Sequence, residues 1–233
     1  MALAEEREEV TAVALMTPPH NLVLSWTADD STIDAIAREL RATGVALPGV
    51  NGSAEIARKF AEKCSELSGC TVRKQMASRI YQLSRVRKES RAAGHLREPG
   101  KSDEALLLKW RAAFSVDAEG LDPAEAEKIA EQAIRRPGQL VLWELDESSV
   151  TVSMAGFTGR TPNGIRVAWV YTPPEYRNKG FAGACVAALS QKLLDDGCGF
   201  CFLYTDLANP TSNHIYQTIG YEPVADAAVY SFS

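Results

Sequence analysis

The order of elements in this sequence of 233 residues predicts an α+β fold, a mixed and mostly antiparallel sheet flanked by helices. Two observations carry the prediction. Three strand candidates joined by short turns follow one another at Leu140 to Leu145, Val150 to Phe157 and Ile165 to Thr172. Helical periodicity brackets them on both sides, giving β-α-α-β-β-β-α-β-α-β from residue 95 onward.

In that half, His95-Leu96-Arg97 reads as a short opening strand, and a helix from Asp103 carries Leu106, Leu107, Trp110 and Phe114 on one side. Asp122-Pro123-Ala124-Glu125 then combines an N-cap, a proline at the first helical position and an acid at the third, and Pro137-Gly138 stops the helix. After the three strands come a helix from about 180 to 196, a strand at Phe200 to Thr205, a short helix from about 211 to 218 and a last strand ending at Phe232.

The preceding residues read as strand, strand, helix, strand, helix, strand. Val13 to Met16 stops at Thr17-Pro18-Pro19, and Asn21 to Trp26 resumes as a β-rich run. Asp30 or Ser31 can cap a helix carrying Ile33, Ile36, Ala37 and Leu40, and Gly44 ends it. Val45-Ala46-Leu47 is a strand candidate, Ser53 to Cys64 a second helix, and Val72 to Val86 a long strand. The chain turns polar between 87 and 101, which places a domain boundary near residue 90 and expects domains at 1–90 and 91–233.

Composition narrows the function classes. With 45% hydrophobic and 24% charged residues the chain buries a core, and a net charge of −5 argues against a surface built throughout for nucleic acid or anionic lipid. No apolar run reaches the roughly 18 to 20 residues of a membrane span. The five cysteines are scattered and odd in number, as reduced thiols are, so a cytoplasmic protein is expected. Cys198 and Cys201 have the spacing of a metal or redox pair but no second pair, and His20, His95 and His214 show no ligand spacing, so no metal is expected.

The chemistry concentrates where a strand meets a helix. Val167 to Thr172 ends in Pro173-Pro174, and within a few residues Arg177-Asn178-Lys179-Gly180-Phe181-Ala182-Gly183 opens an amphipathic helix. A helix start offers unpaired N–H groups and the positive end of the macrodipole, and Gly180, Ala182 and Gly183 carry little side chain to keep a diphosphate off the backbone. A tightly packed strand-to-helix turn would use the same small residues. The spacing is neither that of a dinucleotide fingerprint nor that of a P-loop.

The spacing does resemble the Arg/Gln-x-x-Gly-x-Gly/Ala signature of the GNAT superfamily of N-acyltransferases, through Arg177, Gly180 and Ala182 after Pro174-Glu175-Tyr176. Asn209-Pro210-Thr211-Ser212-Asn213-His214-Ile215-Tyr216 and Ile219-Gly220-Tyr221 look like the later segment of that family, and the resemblance covers about residues 93 to 233. It implies a GNAT-type sheet whose two splayed strands hold the pantetheine of acetyl-CoA, or of another short acyl-CoA, as donor co-substrate. Backbone groups of Val170, Tyr171 and Thr172 would hydrogen-bond the donor and polarise the acyl carbonyl. Arg177, Asn178, Lys179, Gly180, Phe181 and Ala182 would cradle the diphosphate, Asn209 would meet the CoA chain, and Tyr216 would protonate the departing thiolate. An amine acceptor would attack the thioester directly. Many relatives carry a carboxylate on the central strand; Ile165 to Thr172 has none, which leaves Glu144, Glu175, Asp206 or water as the base.

The first half repeats the later element order, and Thr17-Pro18-Pro19 parallels Thr172-Pro173-Pro174. Where the cradle would stand it offers Trp26-Thr27-Ala28-Asp29-Asp30, acidic and without glycine, so it reads as a truncated, degenerate copy that does not bind acyl-CoA and walls the acceptor site. Two other functions use particular features. A non-catalytic acyl-CoA sensor would keep the cradle without a base. An RNA-binding protein would use the eight Lys/Arg between residues 71 and 97, Arg73, Lys74, Arg79, Arg85, Arg87, Lys88, Arg91 and Arg97, which face one acid, Glu89. A solvated strand face and linker is the simpler account of that run, and a homodimer is compatible with the sequence.

Overall fold

The computed structural model describes residues 2–6, 9–87, 92–134 and 139–233. They form two compact units: one holds the chain up to Ile80 with Thr205–Pro210 and Pro223–Ser233, the other holds Tyr81–Tyr204 with Thr211–Glu222. The division thus recurs late in the chain, because the C-terminal strand returns to the first unit. Lys88, Glu89, Arg91 and the Pro137-Gly138 stop lie outside the described residues.

The first unit contains β1 (Ala2–Glu6), β2 (Glu9–Leu15), β3 (Leu22–Leu24), α1 (Asp30–Ala42), β4 (Gly49–Ser53) and α2 (Ala54–Ser68), and parts of β5 (Val72–Leu83). β1–β2 and β2–β3 are antiparallel and β3–β4 is parallel. Its core joins Ala12, Leu22 and Leu24 of the strands to Ile33 and Ile36 of α1 and Ile56 and Phe60 of α2. Both helices present apolar residues at helical spacing, as the sequence predicts.

Two strands there depart from expectation. β1 was not foreseen, since its acidic sequence shows no alternation; it is fixed by pairing with β2, from Ala2 opposite Ala14 to Glu6 opposite Glu9. Val45-Ala46-Leu47 forms no strand, and the strand lies instead at the glycine-containing Gly49–Ser53. Propensity disfavours glycine in strands, but here close backbone approach decides. A Cβ on Gly49 would collide with the Tyr230 carbonyl oxygen, and one on Gly52 would stand 3.0 Å from the Leu24 carbonyl oxygen. β11 (Glu222–Phe232) supplies Tyr230 and pairs antiparallel with β4.

The second unit follows the predicted order. β6 (His95–Arg97), α3 (Glu104–Glu119), α4 (Pro123–Ile134), β7 (Leu140–Glu144), β8 (Thr151–Thr158), β9 (Gly164–Tyr171), α5 (Phe181–Asp195), β10 (Phe200–Asp206) and α6 (Pro210–Ile219) succeed one another, with β10 and α6 each crossing the division between units near one end. The sheet order is β10-β9-β8-β7-β6, antiparallel except for the parallel β9–β10 pair. Side chains alternate between two cores. Val141 and Trp143 of β7 pack with Ala184 to Leu193 of α5, whereas Leu140 and Leu142 pack with Leu107 and Trp110 of α3. Burial on both faces explains why this strand reads as a continuous apolar run.

An ion-paired group ties β6 to the start of α3. Arg97 donates to both oxygens of Asp103, at 2.7 and 2.9 Å, and to Glu144 at 2.5 Å. Asp103 also accepts the Gly100 N–H, and its carboxyl lies below the usual carboxylate range because Arg97 hydrogen-bonds it. No helix among the described residues is long and apolar enough to cross a membrane.

The glycine argument for β4 gives a direct test. Gly49→Ala is expected to lower unfolding free energy by about 2 kcal/mol or more in urea titration, as overpacking against backbone does. Gly100→Ala, where φ is −96° and the nearest atom to a new Cβ is 3.8 Å away, should stay within about 0.5 kcal/mol. Equal losses would refute the account of β4.

Candidate functional site: a strand cleft and an open helix start

β9 is irregular toward its C-terminal end. Met154 faces Tyr171 and Gly156 faces Ala168, so two steps on β8 match three on β9, a bulge with one extra residue. Trp169 takes up that residue in a left-handed conformation with φ 55°, which is rare for a bulky side chain. Gly156 makes room for it, because a Cβ there would lie 2.6 Å from the Trp169 ring. Beyond the bulge, buried Ser153 of β8 donates to the Tyr171 carbonyl at 3.1 Å and shares a hydrogen bond with the Thr172 hydroxyl at 2.9 Å.

On its other edge β9 pairs with β10 only from Gly164–Phe200 to Arg166–Phe202, although β9 continues to Tyr171 and β10 to Asp206. The strands therefore diverge after Arg166. With the Tyr171 carbonyl tied to β8, strand alternation turns the backbone groups of Val170 toward the edge that β10 has left. A cleft bordered by such backbone can pair with an extended polar chain.

Pro174–Tyr176 forms a single 3-10 turn, and α5 then begins with Gly180 as N-cap at φ 83°; Asn178 is left-handed too, at φ 62°. No side chain caps this helix start. Ala184 N–H donates to the Gly180 carbonyl, while the N–H groups of Phe181, Ala182 and Gly183 belong to the first turn, which has no intrahelical acceptors. Such an end attracts anions. The flanking cations are engaged nearby: Arg177 Nε donates to the Thr172 carbonyl and Nη2 to Asp117, both at 2.9 Å, with the guanidinium 5.9 Å from the Tyr171 ring. Lys179 Nζ donates to the Glu175 carbonyl at 3.1 Å.

α1 of the first unit begins in the opposite way. Its N-cap is Asp29, whose carboxylate accepts the Ser31 N–H at 2.8 Å and the Ser31 hydroxyl. Those bonds hold the Asp29 carboxyl below its ordinary range, the hydroxyl contributing most. A negative charge already occupies the place where α5 is open.

The remaining sequence candidates divide clearly. Tyr216 lies on α6, is buried, and packs edge-on against Tyr221 with centroids 5.9 Å apart. Burial pushes its phenol up to about 12. α6 lies beside the first turn of α5, where a Cβ on Gly183 would be 3.5 Å from Ile215. Asn209 stands in the turn before α6 and donates its N–H to the Asp206 carbonyl. Among the base candidates, Glu144 is held by Arg97 and Asp206 accepts the Ala208 N–H through its carboxylate. Several members of the basic run face carboxylates: Arg79 binds Asp226, Arg87 binds Glu222, and Arg97 binds Asp103. The sequence reading missed Ser153 and the Trp169 bulge; neither has a local motif.

The acetyltransferase (GNAT) family model matches residues 105–221, and the chain belongs to that family. A GNAT-family acetyltransferase from Colwellia psychrerythraea superposes with a TM-score of 0.62 over 99% of this chain and 83% of its own, at 10% identity. A GCN5-related N-acetyltransferase from Kribbella flavida gives 0.61 over 95% and 86%, at 18% identity, and one from Sphaerobacter thermophilus gives 0.62 over 96% and 76%, at 12%. At these identities the likeness is one of fold. No curated protein matches the chain.

The buried phenol predicts a pH effect. An unfolded tyrosine ionises near 10. Between there and about 12 the native state retains a proton that the unfolded state has released, so stability falls as pH rises. Tyr216→Phe should flatten this alkaline loss by about 2 to 3 kcal/mol relative to wild type, measured by denaturation between pH 9 and 12. Parallel curves for the two proteins would contradict it.

Proposed function

We propose that the second unit transfers an acetyl or other short acyl group from acyl-CoA to an amine by direct attack. The observation that carries this reading is the divergence of β9 from β10 beside the uncapped start of α5. The pantetheine would run along the exposed edge of β9, hydrogen-bonding Val170 and, on the same side of the alternation, Thr172, whereas the Tyr171 carbonyl accepts from Ser153 of β8 and faces the other way. The diphosphate would lie on the N–H groups of Phe181 and Ala182, with Asn178, Lys179 and Gly180 shaping the turn and Arg177 close by. Acetyl-CoA fits the residues present, since an anion-seeking helix end and a strand edge match its charged and amide-bearing parts.

In this mechanism the protein supplies position and charge. Backbone N–H groups at the end of β9 stabilise the oxyanion that develops on the acyl carbonyl. Tyr216 donates its phenolic proton to the departing thiolate. Its raised pKa keeps that proton in place at neutral pH, although full ionisation is then costly, so transfer is to a thiolate already forming. The attacking amine loses its proton to water or to a carboxylate at the cleft mouth, of which Asp117 is the one hydrogen-bonded to Arg177.

The first unit, Met1–Ile80 with Thr205–Pro210 and Pro223–Ser233, is read as a degenerate copy that does not bind acyl-CoA. The Asp29 carboxylate at the start of α1 supports this, because a diphosphate there would meet like charge. Cytoplasmic action as a soluble enzyme on an amine substrate completes the reading.

Mixing the protein with acetyl-CoA and a panel of amines, with free thiol as the readout, tests it. Saturable thiol release is expected, and Tyr216→Phe should lower kcat by about 100-fold with acetyl-CoA affinity unchanged. Saturable acetyl-CoA binding without thiol release for any amine would replace the enzyme with a sensor. No binding at all would overturn both.

A further inference from the structure

Arg111 of α3 is a buried cation whose hydrogen bonding is incomplete. It is 4% exposed, and among the described residues its Nε is a buried side-chain polar atom with no hydrogen-bond partner. Nη1 donates to Ser115 Oγ at 2.7 Å, and Ser115 in turn donates to Glu119 at 2.8 Å. The Glu119 carboxylate itself is 4.0 Å from Nη1 and 39% exposed, so it neutralises the guanidinium only in part. Burial accordingly makes the charged form of Arg111 less favourable than in water.

Two aromatic rings flank the group. Its Cζ lies 5.3 Å from the centroid of Phe114 and 5.2 Å from that of Trp169, the left-handed residue at the β9 bulge. The next residue on α3, Trp110, packs against Tyr171 with centroids 6.1 Å apart. Arg111 therefore lies against the β9 residue that immediately precedes Val170, Tyr171 and Thr172, whose backbone would hold the acyl carbonyl. Ser115 takes Nη1 and Nε has no partner, which leaves the edge formed by Nε and Nη2.

That edge is the side-on fork of a guanidinium, matched in spacing and plane to a carboxylate. Leaving a buried arginine half satisfied costs stability, and a well-packed apolar side chain of similar volume would serve a purely structural role as well or better. We infer that Arg111 recognises a carboxylate on the substrate, beside Trp169 and Phe114. The inference rests on the acyl-transfer reading and narrows it: either the acceptor is an amine that also carries a carboxylate, or the acyl donor ends in one.

The test compares wild type with Arg111→Met and Arg111→Lys, using amino acids against their methyl esters as acceptors with acetyl-CoA. It also compares succinyl-CoA with acetyl-CoA as donors to a neutral amine, and measures acetyl-CoA binding calorimetrically. Wild type should prefer the carboxylate-bearing member of one pair by about tenfold or more, the size of a charge-assisted hydrogen bond. Arg111→Met should abolish that preference through KM while leaving turnover of the uncharged partner and acetyl-CoA binding intact; Arg111→Lys should restore part of it. The pair that responds identifies whether acceptor or donor supplies the carboxylate.

A wild type that binds and turns over acetyl-CoA without preference in either pair overturns the inference and spares the acyl-transfer reading. So does an Arg111→Met protein that is folded by circular dichroism and retains the preference. If Arg111→Met does not fold, Arg111→Lys decides: an unchanged preference is then the contradicting result, a weakened one the supporting result. Failure of wild type to bind acetyl-CoA at all would instead remove the reading beneath it.

Discussion

One extra residue in β9, where two residues stand opposite one of β8, governs the geometry of the second unit. A regular β9 could have continued its parallel pairing with β10 beyond Phe202. The bulge sets Trp169 in a left-handed conformation, a placement that costs of order 1–3 kcal/mol and persists only where neighbours over-determine it. Those neighbours are identifiable. Gly156 provides the space, and Ser153 fastens the Tyr171 carbonyl after the bulge. The strand edge that results is free of a strand partner where a substrate would need it.

The start of α5 complements that edge. Left-handed Asn178 and Gly180 turn the chain into the helix without a capping side chain, so the first-turn N–H groups stay available. The start of α1 in the first unit is instead closed by Asp29. The contrast is electrostatic as well as geometric: one helix dipole faces an opening, the other a carboxylate of the chain itself. Arg177 links the two parts of the second unit's site, since it reaches back from the turn to the Thr172 carbonyl and forward to Asp117.

Much of this arrangement could be read from the chain. Helix starts and stops followed capping chemistry closely, with Asp122 accepting the Ala124 N–H ahead of Pro123 and Gly120 ending α3 in a left-handed conformation. The helix start near Gly180 was legible for the same reason, because local backbone chemistry determines it. Features set by distant neighbours were not. β4 lies on glycines because Tyr230 and Leu24 approach closely, and the return of β11 to the first unit depends on pairing with Gly49–Ser53 across the length of the chain. The bulge is equally silent, as Trp169 reads as an ordinary strand residue until Gly156 is opposite. Arg111 carries no local signal in the sequence, since its surroundings come from β9 and from Phe114.

Amide chemical shifts during titration with CoA would test the central claim most directly. If the β9 edge and the open helix start form one acyl-CoA site, the N–H signals of Val170, Phe181, Ala182 and Gly183 should shift together, saturating at a common concentration, while those of Ser31 and Thr32 at the start of α1 stay in place. Shifts confined to α1, or saturable binding that leaves both Val170 and the first turn of α5 unmoved, would contradict it.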